Sequence, residues 1–532
     1  MSHTHRLAES GFEIRAEYTP DDSRGGAYKD KLGSPGHFPF TRSITPDGYR
    51  TRPWQPSLYS GFGDAADANQ RFRYLLEQGN GRANIAFDLP TQIGYDSDDP
   101  EAMHEVGRVG VAVDSLADFE ILLSGVPLDK VPLSMNINSM APVMVAMLVA
   151  VAKRQGSDLS QIRGTVANDL LHEYLGRGTW RYPVESSLRL VTDTAEFVIR
   201  TMPKLYPFNL RGVLLHESGA APDQEIGTSF AIARTYIDRL LARGLTIDEI
   251  APRISFFFGT GLHFFEEAAK FRAARRTWAH MMRDDFGATS DRSLGLRFTC
   301  VATCGSYFAK RVPELNLVRG TLGCLGAAMG GAQAMLGTTI DEAYEIPTEH
   351  TQMLALRTQQ IVALESDVTA TVDPLGGSYF VEAMTDEIAE RIQQTLTRID
   401  EEYGGVVAGV ESGAIQQEIE QRAFRLQQQI DSGERPWVEV NVHRSDEEES
   451  EFEVWTPDMH LLQRRQEALK LLRRDRSQAE VDRSLAVLRA AAEGTENVMP
   501  AMIDAVETYA TVGEIARTLE GVMGVHREGL TV

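Results

Sequence analysis

Leu133-Ser-Met-Asn-Ile137, Pro142–Arg154 and Gly164-Thr-Val166 together form the stretch on which the fold turns. The first and last are short apolar runs of strand length, and the middle one repeats apolar residues at helical spacing. Strand, helix and strand in that order predict a parallel pair joined by a crossover. The alternation continues outward. Asn84–Leu89, Gly212–Leu215, Ile254–Phe258 and Leu296–Val301 read as further strands, and Thr228–Leu241 as a further helix. Carried on from Arg82 for about 300 residues, this pattern predicts an α/β fold, a (β/α)8 TIM barrel, rather than separate βαβ domains. In such a barrel the reactive side chains follow the carboxyl ends of the strands.

Three regions follow along the 532-residue chain. Residues 1–60 hold many Gly, Pro, Arg and Tyr with little periodicity and read as an extended N-terminal arm. Residues 61–385 read as the barrel. Residues 386–532 read as a helical C-terminal region with a linker, the acidic run Asp446–Glu453 being a solvated loop. No repeat of solenoid period is present.

Lys+Arg 53 against Asp+Glu 76 gives a net charge of −23, which disfavours nucleic acid and anionic membrane as general partners. Any anionic ligand then needs specific cations. Met1–Ser10 is polar, without a signal-peptide core, and no later stretch reads as a membrane span, so a cytoplasmic location is expected. The three cysteines, Cys300, Cys304 and Cys324, do not form a disulfide framework. Cys300 and Cys304 are spaced for metal ligation but lack a matching second pair, so buried thiols are the simpler reading and no metal site is expected.

Four motifs carry a specific likeness: Ala86-Phe-Asp-Leu-Pro-Thr-Gln-Ile-Gly-Tyr-Asp-Ser-Asp98, Ala251-Pro-Arg-Ile-Ser-Phe-Phe-Phe-Gly259, Asp373-Pro-Leu-Gly-Gly-Ser-Tyr379 and Ile430-Asp-Ser-Gly433. With them the chain resembles the methylmalonyl-CoA mutase family from about Gly11 to Gly524. The resemblance implies an isomerase that uses adenosylcobalamin. An acyl-CoA lies along the barrel, and homolysis of the cobalt–carbon bond starts a radical 1,2-shift of its carbon skeleton. The cofactor carries the hard chemistry, while the protein orients the reactants and excludes water.

The same resemblance assigns residues. Tyr59, in Tyr59-Ser-Gly-Phe62, matches an active-site tyrosine beside the corrin; a tyrosine packing the arm is the structural alternative. Arg177 matches the arginine that grips the free carboxylate of methylmalonyl-CoA, a role suited to a bidentate, permanently charged fork. Relatives acting on isobutyryl-CoA resemble this site but carry Phe and Gln there, so Tyr59 with Arg177 implies a dicarboxylic acyl group. Arg52, Arg253 and Ser255 match contacts to coenzyme A or substrate, and Asn84 and Thr165 border the substrate. Phe87, Val109, Arg177 and Gly330 match positions around the corrin, and Glu365 a glutamate that bonds the adenosyl ribose.

Single-chain members carry a further domain with Asp-x-His-x-x-Gly, whose histidine ligates cobalt. Here Asp458-Met-His460-Leu-Leu-Gln463 lacks the glycine, so His460 reads as a surface residue. The chain is therefore expected to be a large subunit, with the cobalt ligand supplied by a small cobalamin-binding partner in a hetero-oligomer such as a heterotetramer.

Two departures bear on the substrate. The family's Thr-Ile-Gln-Asn-Asp reads Thr165-Val-Ala-Asn-Asp169, which puts Ala167 where a substrate-contacting glutamine stands. The family's Gly-Tyr-His-Met-Gln-Glu-Ala-Gly aligns with Gly212-Val-Leu-Leu-His-Glu-Ser-Gly219, which puts Leu214 where a histidine polarises the thioester carbonyl. His216 lies two residues on and, along a strand, shares a face with Leu214. It is expected to replace that histidine in part; a loop hydrogen bond is the plainer alternative. Two further readings stay open. One is a mutase for another branched or hydroxylated acyl-CoA, isobutyryl- or 2-hydroxyisobutyryl-like, although Tyr59 and Ala86 depart from the hydroxyisobutyryl pattern. The other is a catalytically degraded structural partner of an active mutase.

Overall fold

The computed structural model describes residues 6–14, 31–58, 61–342, 344–345, 347–445 and 460–527. The chain divides into two compact units that interleave in sequence. Met1–Leu58 with Arg211–Trp455 form the first, and Tyr59–Leu210 with Thr456–Val532 the second.

In the second unit the strands Ala83–Ala86, Leu133–Asn136, Gly164–Val166 and Leu205–Tyr206 run parallel in that order. Between two of them lies the helix Ala141–Gln155, with Pro142 in its first turn and a stop at Gly156 in the left-handed region. Both features are favoured there, because proline needs no N–H partner at a helix start and glycine adopts positive φ freely. Every residue from Ala141 to Ala152 is buried. A helix apolar all round must be covered all round. The helices Val184–Thr201 and Met499–Glu507 pack on it, and Ile85, Met135 and Val166 of the strands belong to the same core. The C-terminal helices Gln478–Glu493 and Val512–Met523 bring Val481, Leu488, Ile515 and Leu519 into that core.

In the first unit Gln55–Ser57, Ala334–Leu336, Phe298–Val301 and Ile254–Phe258 lie side by side and parallel. Side chains alternate across a strand. Phe256, Phe258 and Phe298 therefore point to one side, where they pack with Phe230, Phe271 and Trp278. Phe257, Thr299 and Ala334 share the other side by register. The helix Phe264–His280 packs on Leu315–Met329 and Tyr379–Glu401. Its Arg275 donates to the carbonyls of Phe40 (3.0 Å) and Thr41 (2.7 Å), which fixes this part of the N-terminal segment to the unit.

Glu9 fixes an earlier part. Its buried carboxylate meets His263 at 2.8 Å and Arg422 at 2.9 Å, and also bonds Arg435. Burial pushes the Glu9 carboxyl up, but the bonds from His263 and Arg435 outweigh it and hold it well below the ordinary 4.5. The bond to Glu9 lifts His263 above its ordinary 6.5. A depressed acid stabilises above its unfolded pKa and loses that effect as pH falls through the folded value; a raised base does the reverse. The pair thus contributes fully between pH 4.5 and 6.5. The melting-temperature difference between wild type and His263→Ala should be largest in that window and shrink on both sides.

Among the described residues the parallel ladders lie in two sheets rather than one closed ring. Parallel strands with helical crossovers make the fold α/β, of the TIM-barrel type. The expected strands at 133–137, 164–166, 254–258 and 296–301 are present within two residues, and so is the helical C-terminal region. Two expectations are corrected. The strand expected over Asn84–Leu89 is Ala83–Ala86, and Leu89 opens the helix Leu89–Ile93. Gly212–Leu215 is not a strand but part of the helix Gly212–Glu217, and the strand is the preceding Phe208–Leu210. A run of four apolar residues fits either structure by pattern. Here Gly212 sits so close to Ser229 and Phe258 that a Cβ would approach them at 2.7 and 2.8 Å. Asp446–Glu453 lies outside the described residues.

Candidate active site

In the second unit Ile85, Met135 and Val166 turn to the helices, so Asn84, Ser134 and Thr165 turn the other way. Register places these three in one row. Ser134 and Thr165 hydroxyls meet at 3.1 Å, and Asn136, two residues past Ser134, donates to Asn84 at 2.7 Å. Such a row of small polar groups supplies the few oriented hydrogen-bonding groups that a ligand site needs. Ala167 follows Thr165 on the same face and is buried; its N–H donates to Met135 and its carbonyl accepts from Asn138.

Arg177 ends the helix Leu170–Gly176. Its guanidinium lies 3.6 Å from Glu173, a carboxylate already bonded by Asn138 and Thr179. The arginine side chain stays 30% exposed while Glu173 is fully buried. Such a loosely held guanidinium keeps N–H donors for an anion.

Beyond the strand Ala83–Ala86, Phe87 is fully buried and stacks on Phe119. Asp88 caps the following helix at Thr91 and accepts from the Gly107 N–H at 2.8 Å. That bond and the bridge between Phe87 and Val111 bring residues 107–111 onto the strand end. At Gly110 a Cβ would stand 2.2 Å from the Phe87 carbonyl carbon, so only glycine allows this approach. Two apolar side chains are left at the surface there, Val109 at 60% and Leu89 at 38% exposure.

In the first unit Ser255 precedes Phe257 on the same strand face and is buried. Phe257 forms a small apolar cluster with Val213 and Cys304, against which Leu214, Val301, Tyr307 and Leu336 pack. His216, one helical turn beyond Val213, is also buried, but its place comes from a helix and not from an alternating strand. Its Nδ1 meets Glu225 at 3.1 Å. Lys270 reaches Glu225 at 3.0 Å and Glu267 at 2.6 Å, and all three side chains are at most 2% exposed. Burial raises the Glu225 carboxyl, but Lys270 and His216 outweigh it and hold it below 4.5. Burial lowers Lys270, and its two glutamates lift it back above its ordinary value.

Arg52 is exposed and Arg253 half-buried. Gly330 ends the helix Leu315–Met329, where a Cβ would strike Phe271 at 2.4 Å. Glu365 ends the helix Glu349–Glu365 and is exposed, and His460 is an exposed residue capping Leu461–Asp475. Tyr59 lies outside the described residues. Ser134, Asn136, Glu225, Lys270 and Glu267 are absent from the expected set. The polar positions in Leu133-Ser-Met-Asn136 alternate and were a usable signal for the first two; nothing in the sequence pairs Glu225 with Lys270.

A parallel α/β fold with a polar strand-end lining in one unit and an apolar one beside a buried histidine in the other is an enzyme scaffold of the barrel class. The family model for methylmalonyl-CoA mutase matches residues 7–525. The large subunit of 2-hydroxyisobutanoyl-CoA mutase from Aquincola tertiaricarbonis is 39% identical over 518 residues, covering 97% of this chain and 92% of that one. The methylmalonyl-CoA mutase of Cereibacter sphaeroides is 38% identical over 519 residues, 97% and 72% of the two chains. That of Escherichia coli is 36% identical over 517 residues, 97% and 71%. The chain belongs to the methylmalonyl-CoA mutase family, whose members are adenosylcobalamin-dependent acyl-CoA mutases, isomerases by reaction class. The strand end at Phe87 fits a corrin, because Gly110 permits close approach of the loop and Val109 with Leu89 offers an apolar surface.

Proposed function

We propose that the chain is the large, substrate-binding subunit of an acyl-CoA mutase, working in a hetero-oligomer, such as a heterotetramer, with a small cobalamin-binding subunit that supplies the cobalt ligand. The 92% coverage of a relative named a large subunit supports this. The three cysteines are free and buried, in keeping with a reducing cytoplasm.

The favoured acyl group is methylmalonyl-like, and the observation that carries this is Arg177, a guanidinium with donors to spare beside a carboxylate already satisfied. Bound adenosylcobalamin supplies the radical that removes hydrogen from the acyl group. Within this chain, Asn84, Ser134 and Thr165 orient the polar part of the substrate, Arg52, Arg253 and Ser255 hold coenzyme A or the substrate, and Tyr59 is the active-site tyrosine beside the corrin. Val109 and Phe87 support the corrin with Gly330, and Glu365 bonds the adenosyl ribose. His216 takes the thioester oxygen. A second reading, an isobutyryl- or 2-hydroxyisobutyryl-like substrate, is favoured by the buried methyl of Ala167 and by Leu214 in an apolar cluster.

Substrate selectivity of Arg177→Gln separates the two. Loss of a charge-assisted bidentate bond should cut kcat/KM for methylmalonyl-CoA about 100-fold and leave that for isobutyryl-CoA within about threefold. Equal loss with both esters would show that Arg177 does not read the carboxylate.

A further inference from the structure

Glu225 lies at the centre of a buried network. Its Oε1 accepts from the Gly259 N–H at 2.7 Å, and its Oε2 accepts from Lys270 at 3.0 Å. Lys270 also donates to the Gly259 carbonyl at 2.8 Å, and the Gly261 N–H donates to Glu267 at 2.9 Å. The His216 ring rests against Gly259, where a Cβ would stand 2.4 Å from the ring. Its Nδ1 faces Glu225, while its Nε2 is buried with no hydrogen-bond partner among the described residues. An orphaned buried nitrogen on an otherwise satisfied network marks a place where a ligand completes the bonding.

The chemistry of the partner decides what that nitrogen can do. An ionised carboxylate only accepts, so Nδ1 must carry the hydrogen that faces Glu225. With Nδ1–H committed, the neutral ring has only a lone pair at Nε2. An Nε2–H exists only in the imidazolium.

Resting on the mutase reading above, we infer that Glu225, backed by Lys270 and Glu267, is the positioning residue for His216 and makes it a donor to the acyl-CoA thioester oxygen only when the ring is protonated. Binding through that oxygen then requires the imidazolium, since the neutral ring offers only a lone pair there. The charged and titratable groups around the ring are Glu225 on Pro222–Leu241, Glu267 and Lys270 on Phe264–His280, Glu217 on its own helix, and Cys304 and Tyr307 after Phe298–Val301. Glu225, Glu267 and Lys270 together leave one carboxylate in excess, which a protonated His216 balances. A histidine positioned without Glu225 would instead present Nε2–H in its neutral form and have no such requirement.

Nitrogen NMR of the full chain labelled in histidine tests the positioning without any turnover. His216→Gln identifies the signal. At alkaline pH wild-type His216 should be in the Nδ1–H tautomer, and Glu225→Gln, whose amide can donate to Nδ1, should switch it to Nε2–H. An Nε2–H tautomer in the wild type overturns the assignment, even if Glu225→Gln fails to fold. Calorimetry tests the consequence. Isobutyryl-CoA and free coenzyme A are titrated into the chain between about pH 5.5 and 8.5. The affinity gained from the thioester should fall about tenfold or more across that range in the wild type and stay flat in His216→Gln, an amide donor at every pH. An equal slope in both overturns the donor role. No binding of either compound would instead overturn the mutase reading, with the tautomer result still deciding the positioning.

Discussion

Lys270→Met should destabilise the first unit by about 3–5 kcal/mol, the cost of leaving a buried charge without its partner. Lys270 is completely buried and contacts two carboxylates and a carbonyl, each within 3.0 Å. Without the ammonium, Glu225 and Glu267 are left as two buried anions, and the Gly259 carbonyl loses its donor. Methionine fills much the same volume, so the loss is electrostatic and not a cavity. The double variant Lys270→Met with Glu267→Gln removes one of the stranded charges and should recover part of the stability. Denaturant unfolding followed by tryptophan fluorescence reads this out, since Trp278 lies in the same helix and is buried. A loss below about 1 kcal/mol would mean that the network is hydrated and weakly coupled.

The second large effect is expected in the other unit. Arg465 is buried, donates to Asp118 at 2.6 Å and also bonds Asp114. Burial already raises Asp114, Arg465 lowers it, and Asp118 raises it again. Arg465→Met takes the partner away from two buried carboxylates and should cost about 3–5 kcal/mol. Carboxylates stranded in this way take up protons more readily when folded, so the deficit should be greatest near neutral pH and shrink in acid. Hydrogen exchange should rise selectively at residues 112–118 and 461–475, which this arginine joins. An even rise over the whole chain would contradict a local clamp.

The parallel α/β architecture was legible because its best elements are pure in pattern. Ala141–Gln155 is apolar from Ala141 to Ala152 and ends at a glycine, and Ile254–Phe258 is an unbroken buried run. Gln55–Ser57, Leu205–Tyr206 and Ala334–Leu336 were not read as strands, and only their parallel neighbours define them as such. The Val213-Leu-Leu215 run was misread because helix and strand both bury such a triplet. Motif likeness singled out Gly259 as the end of a family signature. The reason a glycine is needed there, the His216 ring against it, appears only with coordinates. Glu225 and Lys270 are 45 positions apart and gave no sign of each other. Their charges read as ordinary helix-surface residues until burial is known.

The large-subunit reading has this chain bind the acyl-CoA of a mutase whose cobalamin is held by a second subunit. Its most direct test is reconstitution of the purified full chain with adenosylcobalamin and a small subunit carrying Asp-x-His-x-x-Gly, with methylmalonyl-, isobutyryl- and 2-hydroxyisobutyryl-CoA offered in turn. Isomerisation of at least one ester, fastest with methylmalonyl-CoA and absent when either polypeptide is omitted, is the expected result. A stable complex that isomerises none of the three would contradict it and would identify the chain as a structural partner.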